Sequence, residues 1–262
     1  AKGECASCHV MEAGKPTEKR IKDVPDLCIT CHADKAGLDE KPNTHPPAED
    51  GECLECHDAH RGEQAHLLKG KPAELCGTCH DQVADALKEP VIHKAFADGK
   101  CAACHEPHGS DRKKLVKSAD GTMCLSCHEA LGKRLATGTG AHPPAAKKDC
   151  LKCHTPHAGK QEALLKDSER HVCQACHVGL DKKLEGLEIH PPFRSGRCEM
   201  CHDPHQSDQP HLMKIATAQA CMSCHNLVER ELAREFTHEP AKKGDCTACH
   251  GPHGGQTRAF LA

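Results

Sequence analysis

The chain has 262 residues with 22 cysteines and 24 histidines, but no Trp, no Tyr and only four Phe. Aromatics at 2% and a mean hydropathy of −0.64 deny it the large apolar side chains that dominate core burial, so something other than side chains must fill its interior. A net charge of −3 and a pI near 6.8 exclude the basic stripe of a nucleic-acid binder, and no apolar run approaches the roughly 18 residues of a membrane-spanning helix.

Read in chain order, every cysteine falls in one pattern. Cys5 and Cys8 precede His9, Cys28 and Cys31 precede His32, Cys53 and Cys56 precede His57, and Cys76 and Cys79 precede His80. Cys101 and Cys104 stand before His105, Cys124 and Cys127 before His128, Cys150 and Cys153 before His154, and Cys173 and Cys176 before His177. Cys198 and Cys201 with His202, Cys221 and Cys224 with His225, and Cys246 and Cys249 with His250 complete eleven copies of C-x-x-C-H, leaving no cysteine over. This is the attachment pattern of c-type haem. Two thiols one turn apart bond the two vinyl groups, and the next residue supplies the proximal iron ligand.

Three other uses of cysteine fit less well. Zinc ribbons pair C-x-x-C units but do not require His after every pair. Thioredoxin-like pairs occur beside a βαβ pattern that is absent here. A disulfide scaffold would not confine every Cys to one spacing.

Motifs recur in twos. From proximal His to the next first Cys the separation alternates between 19 residues and 21 or 22, so the first cysteines Cys5, Cys53, Cys101, Cys150, Cys198 and Cys246 repeat every 48 or 49 residues. The unit is a two-haem repeat, present five times with a final half, and a fixed period of this kind predicts one continuous elongated array over 1–262.

Ten further histidines keep the same period. His60, His108, His157, His205 and His253 stand three residues after a proximal His, and His45, His93, His142, His190 and His238 stand eight residues before a motif. They are the candidate distal ligands of bis-His haems. Pro107, Pro156, Pro204 and Pro252 precede four of the first set, with Ala59 in the fifth. Proline cannot continue the motif's turn and should divert that His towards a neighbouring haem. His66, His171 and His211 lie outside the register and are expected to be exposed or hydrogen-bonded.

Eleven haems and ten distal ligands leave one haem over. If the upstream His caps the odd haem of its own repeat, the Cys5 haem is left; if it caps the previous odd haem, the Cys246 haem is left. That terminal haem takes an off-register His, Met11, the terminal amine or a residue of another chain, or stays open. Glu12 stands where the His60-type ligand would be. Met200 and Met222 inside motifs, and Met213 in an apolar pair, argue against Met ligation elsewhere.

The predicted fold is mostly irregular coil with short α-helices around a stacked haem array, with little or no β-sheet. Helices are expected over 81–88, 129–135 and 226–236, where apolar residues recur at helical spacing. His-Pro-Pro at His45, His142 and His190 predicts extended chain entering the next motif. The apolar pairs Leu67-Leu68, Leu115-Val116, Leu164-Leu165, Leu212-Met213 and Phe260-Leu261 are expected against porphyrin faces.

Units such as His190-Pro-Pro, Cys198 to His202-Asp-Pro-His205, Leu212-Met213-Lys214 and Cys221 to His225 resemble the multihaem c-type cytochromes with doubled C-x-x-C-H domains. The resemblance covers almost the whole chain. It implies electron transfer in the periplasm, at the outer membrane or outside the cell, with redox proteins, an outer-membrane porin or copies of the chain in a filament as partners. Haem attachment of this type implies an exported protein, with Ala1 expected as the mature terminus. The expected protein is thus an electron carrier with eleven haem c groups and not an enzyme. The rival is a multihaem reductase, which needs an open haem with a distal pocket; no C-x-x-C-K motif and no Tyr support it.

Overall fold

Each motif is a single helical turn, and that turn sets the direction of its thiols and imidazole. In the computed structural model, which describes residues 4–261, the proximal His N–H of every motif from Cys28 on donates to the carbonyl of the first Cys of its motif. This bond measures 3.0 Å at His80, 3.1 Å at His57 and 3.0 Å at His250. All five even motifs lie at the end of α-helices that begin before the first Cys, as in Pro72–Gly77, Glu169–Gln174 and Thr217–Met222. Most odd motifs are bare 3₁₀ turns such as Cys101–Ala103 and Cys198–Met200.

The structure is mostly coil with short helices and small two-stranded sheets, as the composition implies. The three helices expected after even motifs form over Asp81–Ala86, Glu129–Thr137 and Asn226–Leu232, with ends moved by a few residues as fraying termini do. His45, His142 and His190 are extended as expected, but the chain does not stay extended after them. The prolines open one-turn helices, Pro46–Glu49, Pro143–Ala146 and Pro191–Arg194, because a fixed φ without an N–H suits the first helical position.

One element has no counterpart in the sequence expectations. His9–Glu12 and Lys15–Arg20 form an antiparallel hairpin with Glu12 opposite Lys15 and Met11 opposite Pro16. Its two-residue turn, Ala13 at φ 48° and Gly14 at φ 78°, places both residues in the left-handed region that matches strand twist.

The chain divides after Ala119 into two compact units. In the first, Asn43–Thr44 pairs antiparallel with Gly109–Ser110; in the second, Glu188–Ile189 pairs with Gly254–Gly255. These short ladders join the segment before one odd motif to the loop after the next, 62 to 67 residues on. Among the described residues no apolar side chain is buried, and the buried polar ones are Ser110, Gln206 and Ser207. No helix of the described residues is long and apolar enough to cross a membrane.

Candidate metal centres

The register histidines come together in pairs. In the first unit His9 lies 5.7 Å from His60 between ring centroids, His45 5.9 Å from His80, and His57 6.0 Å from His108. In the second unit His142 and His177 are 6.1 Å apart, His154 and His205 5.9 Å, His190 and His225 6.1 Å, and His202 and His253 6.0 Å. Two metal–nitrogen bonds of about 2.0 Å, with about 1.1 Å from each nitrogen to its ring centre, set two axial imidazoles about 6.2 Å apart. The spacing of all seven pairs would admit one metal ion between the two rings.

Each pair also has a fixed tautomer. His57 Nδ1 lies 2.8 Å from the His66 carbonyl, His154 Nδ1 2.8 Å from that of Ala163, and His202 Nδ1 2.9 Å from that of His211. His142 and His190 Nδ1 each lie 2.9 Å from a proline carbonyl, of Pro204 and Pro252, and His45 uses Pro107 in the same way. His9 Nδ1 finds the Thr17 carbonyl at 2.7 Å across the hairpin. A carbonyl can only accept, so Nδ1 carries the proton and Nε2 is left to bind metal.

These carbonyl partners are the functional positions that sequence reasoning missed. From the Cys53 motif on, those serving the odd motifs sit nine residues after the proximal His, at His66, Lys114, Ala163, His211 and Ala259, so side-chain identity varies freely. Their loops hold consecutive non-glycine residues in the left-handed region, such as Ala163 at φ 53° and Leu164 at φ 56°. The second residue of each apolar pair then bridges the proximal His, as Leu68 does at His57 and Met213 at His202.

The pairing differs from both alternatives that spacing allowed. An upstream His faces the even proximal His of its own repeat, as His45 faces His80, while a His60-type residue faces the odd proximal His of the preceding repeat. The two latches are tied together: the N–H of His45 donates to the His108 carbonyl at 3.0 Å, and that of His190 to the His253 carbonyl at 2.9 Å. Asp58 and Asp203 aim two of the rings by accepting the N–H of His60 at 2.8 Å and of His205 at 2.9 Å. Arg134 in turn donates to Asp203 and, at 2.8 Å, to the Gln206 carbonyl.

His93 and His128 stand just before the helices Lys94–Ala97 and Glu129–Thr137; His105 Nδ1 lies 2.9 Å from the Lys114 carbonyl, and His157 sits in a bend after its motif. Among the described residues His32, His238 and His250 have no partner imidazole at the spacing of the seven pairs. His171 bonds its Nδ1 to Asp167 at 3.3 Å.

Burial lowers the proton affinity of His108, His205 and His253, which favours the neutral, metal-binding form. No group of three or more His, Cys, Asp and Glu among the described residues is placed to hold a metal ion. The family described as the doubled CXXCH motif matches residues 1–37, 45–85, 93–133, 142–182, 190–229 and 238–262, most of the chain. The chain belongs to this family. It is a multihaem c-type cytochrome of electron transfer, and its motifs bind haem c covalently. A comparison with curated proteins gives no match.

Thiols of this cytochrome are grouped along with its imidazoles. Cys76 stands beside Cys101 and Cys173 beside Cys198, bringing the first cysteine of an even motif to that of the next odd motif. Second cysteines of odd motifs lie near their even neighbours, as Cys56 near Cys79 and Cys201 near Cys224.

Proposed function

We propose that the chain carries eleven haem c groups, one on each motif, and conducts electrons along them as a carrier and not as an enzyme. The seven imidazole pairs near 6 Å, three in the first unit and four in the second, each with one Nδ1 tied to a backbone carbonyl, are the observation that supports this reading. Haem c, when bound, supplies a one-electron ferric/ferrous couple. The chain's residues do the rest. Both cysteines of each motif would hold the porphyrin edge, the eleven proximal histidines would ligate iron, and the register histidines would supply the second imidazole where a pair forms. A carbonyl on Nδ1 raises the basicity of Nε2 and so favours the ferric state, keeping the potential of that site low. Uncovered apolar side chains, Leu67 and Leu261 among them, lie against the porphyrin faces, and some of the 35 Lys and Arg partner propionates.

Thioether attachment belongs to exported cytochromes, which supports a location in the periplasm, at the outer membrane or outside the cell. Its partners are then redox proteins, an outer-membrane porin or further copies of itself. His238, whose ring has no partner imidazole among the described residues, is a candidate ligand to an iron beyond them. Electron microscopy of holoprotein over a concentration series separates ordered filaments from dispersed particles.

Intact mass and haemochrome absorbance of the holoprotein test the haem count. Eleven haems per chain are expected, and a chain loaded with fewer at full occupancy contradicts the assignment. A second reading, a reductase, draws on His32 and His250, which face no imidazole among the described residues. High-spin ferric signals with cyanide or nitrite binding would favour it; a wholly low-spin spectrum would end it.

A further inference from the structure

Among the described residues the position two places before an odd motif lies in the left-handed region at all five motifs from Cys53 on: Gly51 at φ 71°, Gly99 at φ 67°, Lys148 at φ 59°, Gly196 at φ 71° and Gly244 at φ 73°. Each faces the residue three places before the preceding even motif. A Cβ built on Gly51 would stand 2.7 Å from the Pro25 side chain, one on Gly196 2.8 Å from Arg170 Cβ, and one on Gly244 2.7 Å from Ala218 Cβ. At Gly99 the nearest atom is 3.5 Å away, so a methyl fits by space and only φ is demanding.

The fourth junction reverses the arrangement. Lys148 occupies the left-handed position there, and the facing residue is Gly121, whose added Cβ would meet the Lys148 carbonyl at 2.5 Å and the Cys150 sulfur at 2.6 Å. One side of the contact is always without a side chain where the gap is closed, and which side is free to change. Compensation of this kind within one chain marks the approach itself as the quantity being kept. The backbone contact lies where first cysteines of consecutive motifs come side by side: Cys28 with Cys53, Cys76 with Cys101, Cys173 with Cys198 and Cys221 with Cys246.

We propose that Gly51, Gly196, Gly244 and Gly121 are spacing residues for electron transfer, setting the approach of the thioether edges of successive haems from one repeat to the next. The inference rests on the haem attachment proposed above. Tunnelling falls steeply with edge-to-edge distance, so a side chain that pushes the two cysteines apart slows transfer across that junction alone, without touching a ligand or a thioether. Because no cysteine or histidine is replaced, haem content and axial ligation are unaffected.

The test uses holoprotein. Gly244→Lys introduces a side chain against Ala218, and Ala218→Gly/Gly244→Lys rebuilds the Gly121 and Lys148 arrangement at that junction. Gly99→Ala is the internal control, strained in φ but with room for the methyl. Spin–spin coupling between ferric haems is read by electron paramagnetic resonance, alongside intact mass and the rate of electron passage along the chain. The expected result is full haem content in every variant, weakened coupling and severalfold slower passage in Gly244→Lys, recovery of both in the double variant, and a smaller change in Gly99→Ala. Coupling unchanged in Gly244→Lys at full haem content would overturn the proposal. If Gly244→Lys loads haem poorly, the double variant decides: recovered loading and coupling support spacing, and failure of both overturns it. A parent chain without eleven haems would instead overturn the attachment reading on which this rests.

Discussion

His60 is the most direct residue at which to ask what a register histidine does. Its N–H is held by Asp58 at 2.8 Å and its ring faces His9, whose own position depends on the Cys5–Cys8 turn and the hairpin. Replacing it removes one imidazole and disturbs neither thioethers nor the proximal ligand. His60→Ala is expected to keep all eleven haems and turn one of them high-spin, read by magnetic resonance or magnetic circular dichroism; a spectrum still fully low-spin would mean that another group faces His9. Asp203 supplies a pH signature. Burial alone would raise its pKa, but the N–H groups of His205 and Gln206 and the Arg134 guanidinium outweigh that and hold it below the usual carboxylate range. A depressed folded pKa means the contribution is fully present above the unfolded value of about 4 and is lost as pH falls through the folded one. Arg134 is half exposed, so the discounted contribution is about 1 kcal/mol. Asp203→Asn should therefore lower thermal stability at pH 7 and flatten the acid limb of a stability–pH curve. At this scale the ligands were legible because metal chemistry requires particular side chains at fixed spacing. The carbonyls of Lys114 and Ala163 were not, since any residue supplies a carbonyl.

Among elements, the left-handed loops carry the clearest consequence. Ala163 at φ 53° presents its carbonyl to His154, a conformation proline cannot adopt. Ala163→Pro is expected to cost more than about 1 kcal/mol and to shift one haem potential upward, because His154 loses the acceptor that makes it more basic. Ala163→Gly is the control: it keeps the carbonyl and removes the left-handed penalty, so the potential stays put and stability changes by no more than about 1 kcal/mol. Voltammetry of the two variants separates the carbonyl's effect from general loop damage; equal shifts in both would refute the assignment. Helices after even motifs could be read from their apolar period, as at Glu129–Thr137. The hairpin over His9–Arg20 could not, because Lys15–Arg20 alternates no apolar residues and its only signal is Ala13-Gly14 at the turn. It stands in for the missing loop of the first repeat, giving His9 the Thr17 carbonyl that the other odd motifs receive from left-handed residues.

For the whole molecule, composition already implied that side chains alone make no core, and among the described residues no apolar side chain is buried. Exposed ion pairs such as Lys88–Asp85 and Lys94–Asp98 add little to stability. A chain produced without haem attachment is expected to show no cooperative thermal transition by circular dichroism, whereas the holoprotein should melt cooperatively; a sharp transition in the haem-free chain would show a core that the side chains do not suggest. The order of partners was the least legible feature. Spacing gave the ten register histidines but offered only odd haems to the upstream set, whereas folding within each unit carries His45 to His80 and His190 to His225. Which haem a histidine reaches depends on the bends between motifs, and those bends are set by prolines, left-handed residues and close glycine contacts whose effect is three-dimensional.

The account stands or falls on iron between histidines. Anomalous diffraction at the iron edge from crystals of the holoprotein locates each metal directly. The account predicts eleven iron sites per chain, with one near the midpoint of each of the seven imidazole pairs, His9 with His60 and His45 with His80 among them. Metal bound by cysteine sulfurs alone, or iron bridging an upstream histidine to an odd proximal one, would contradict it.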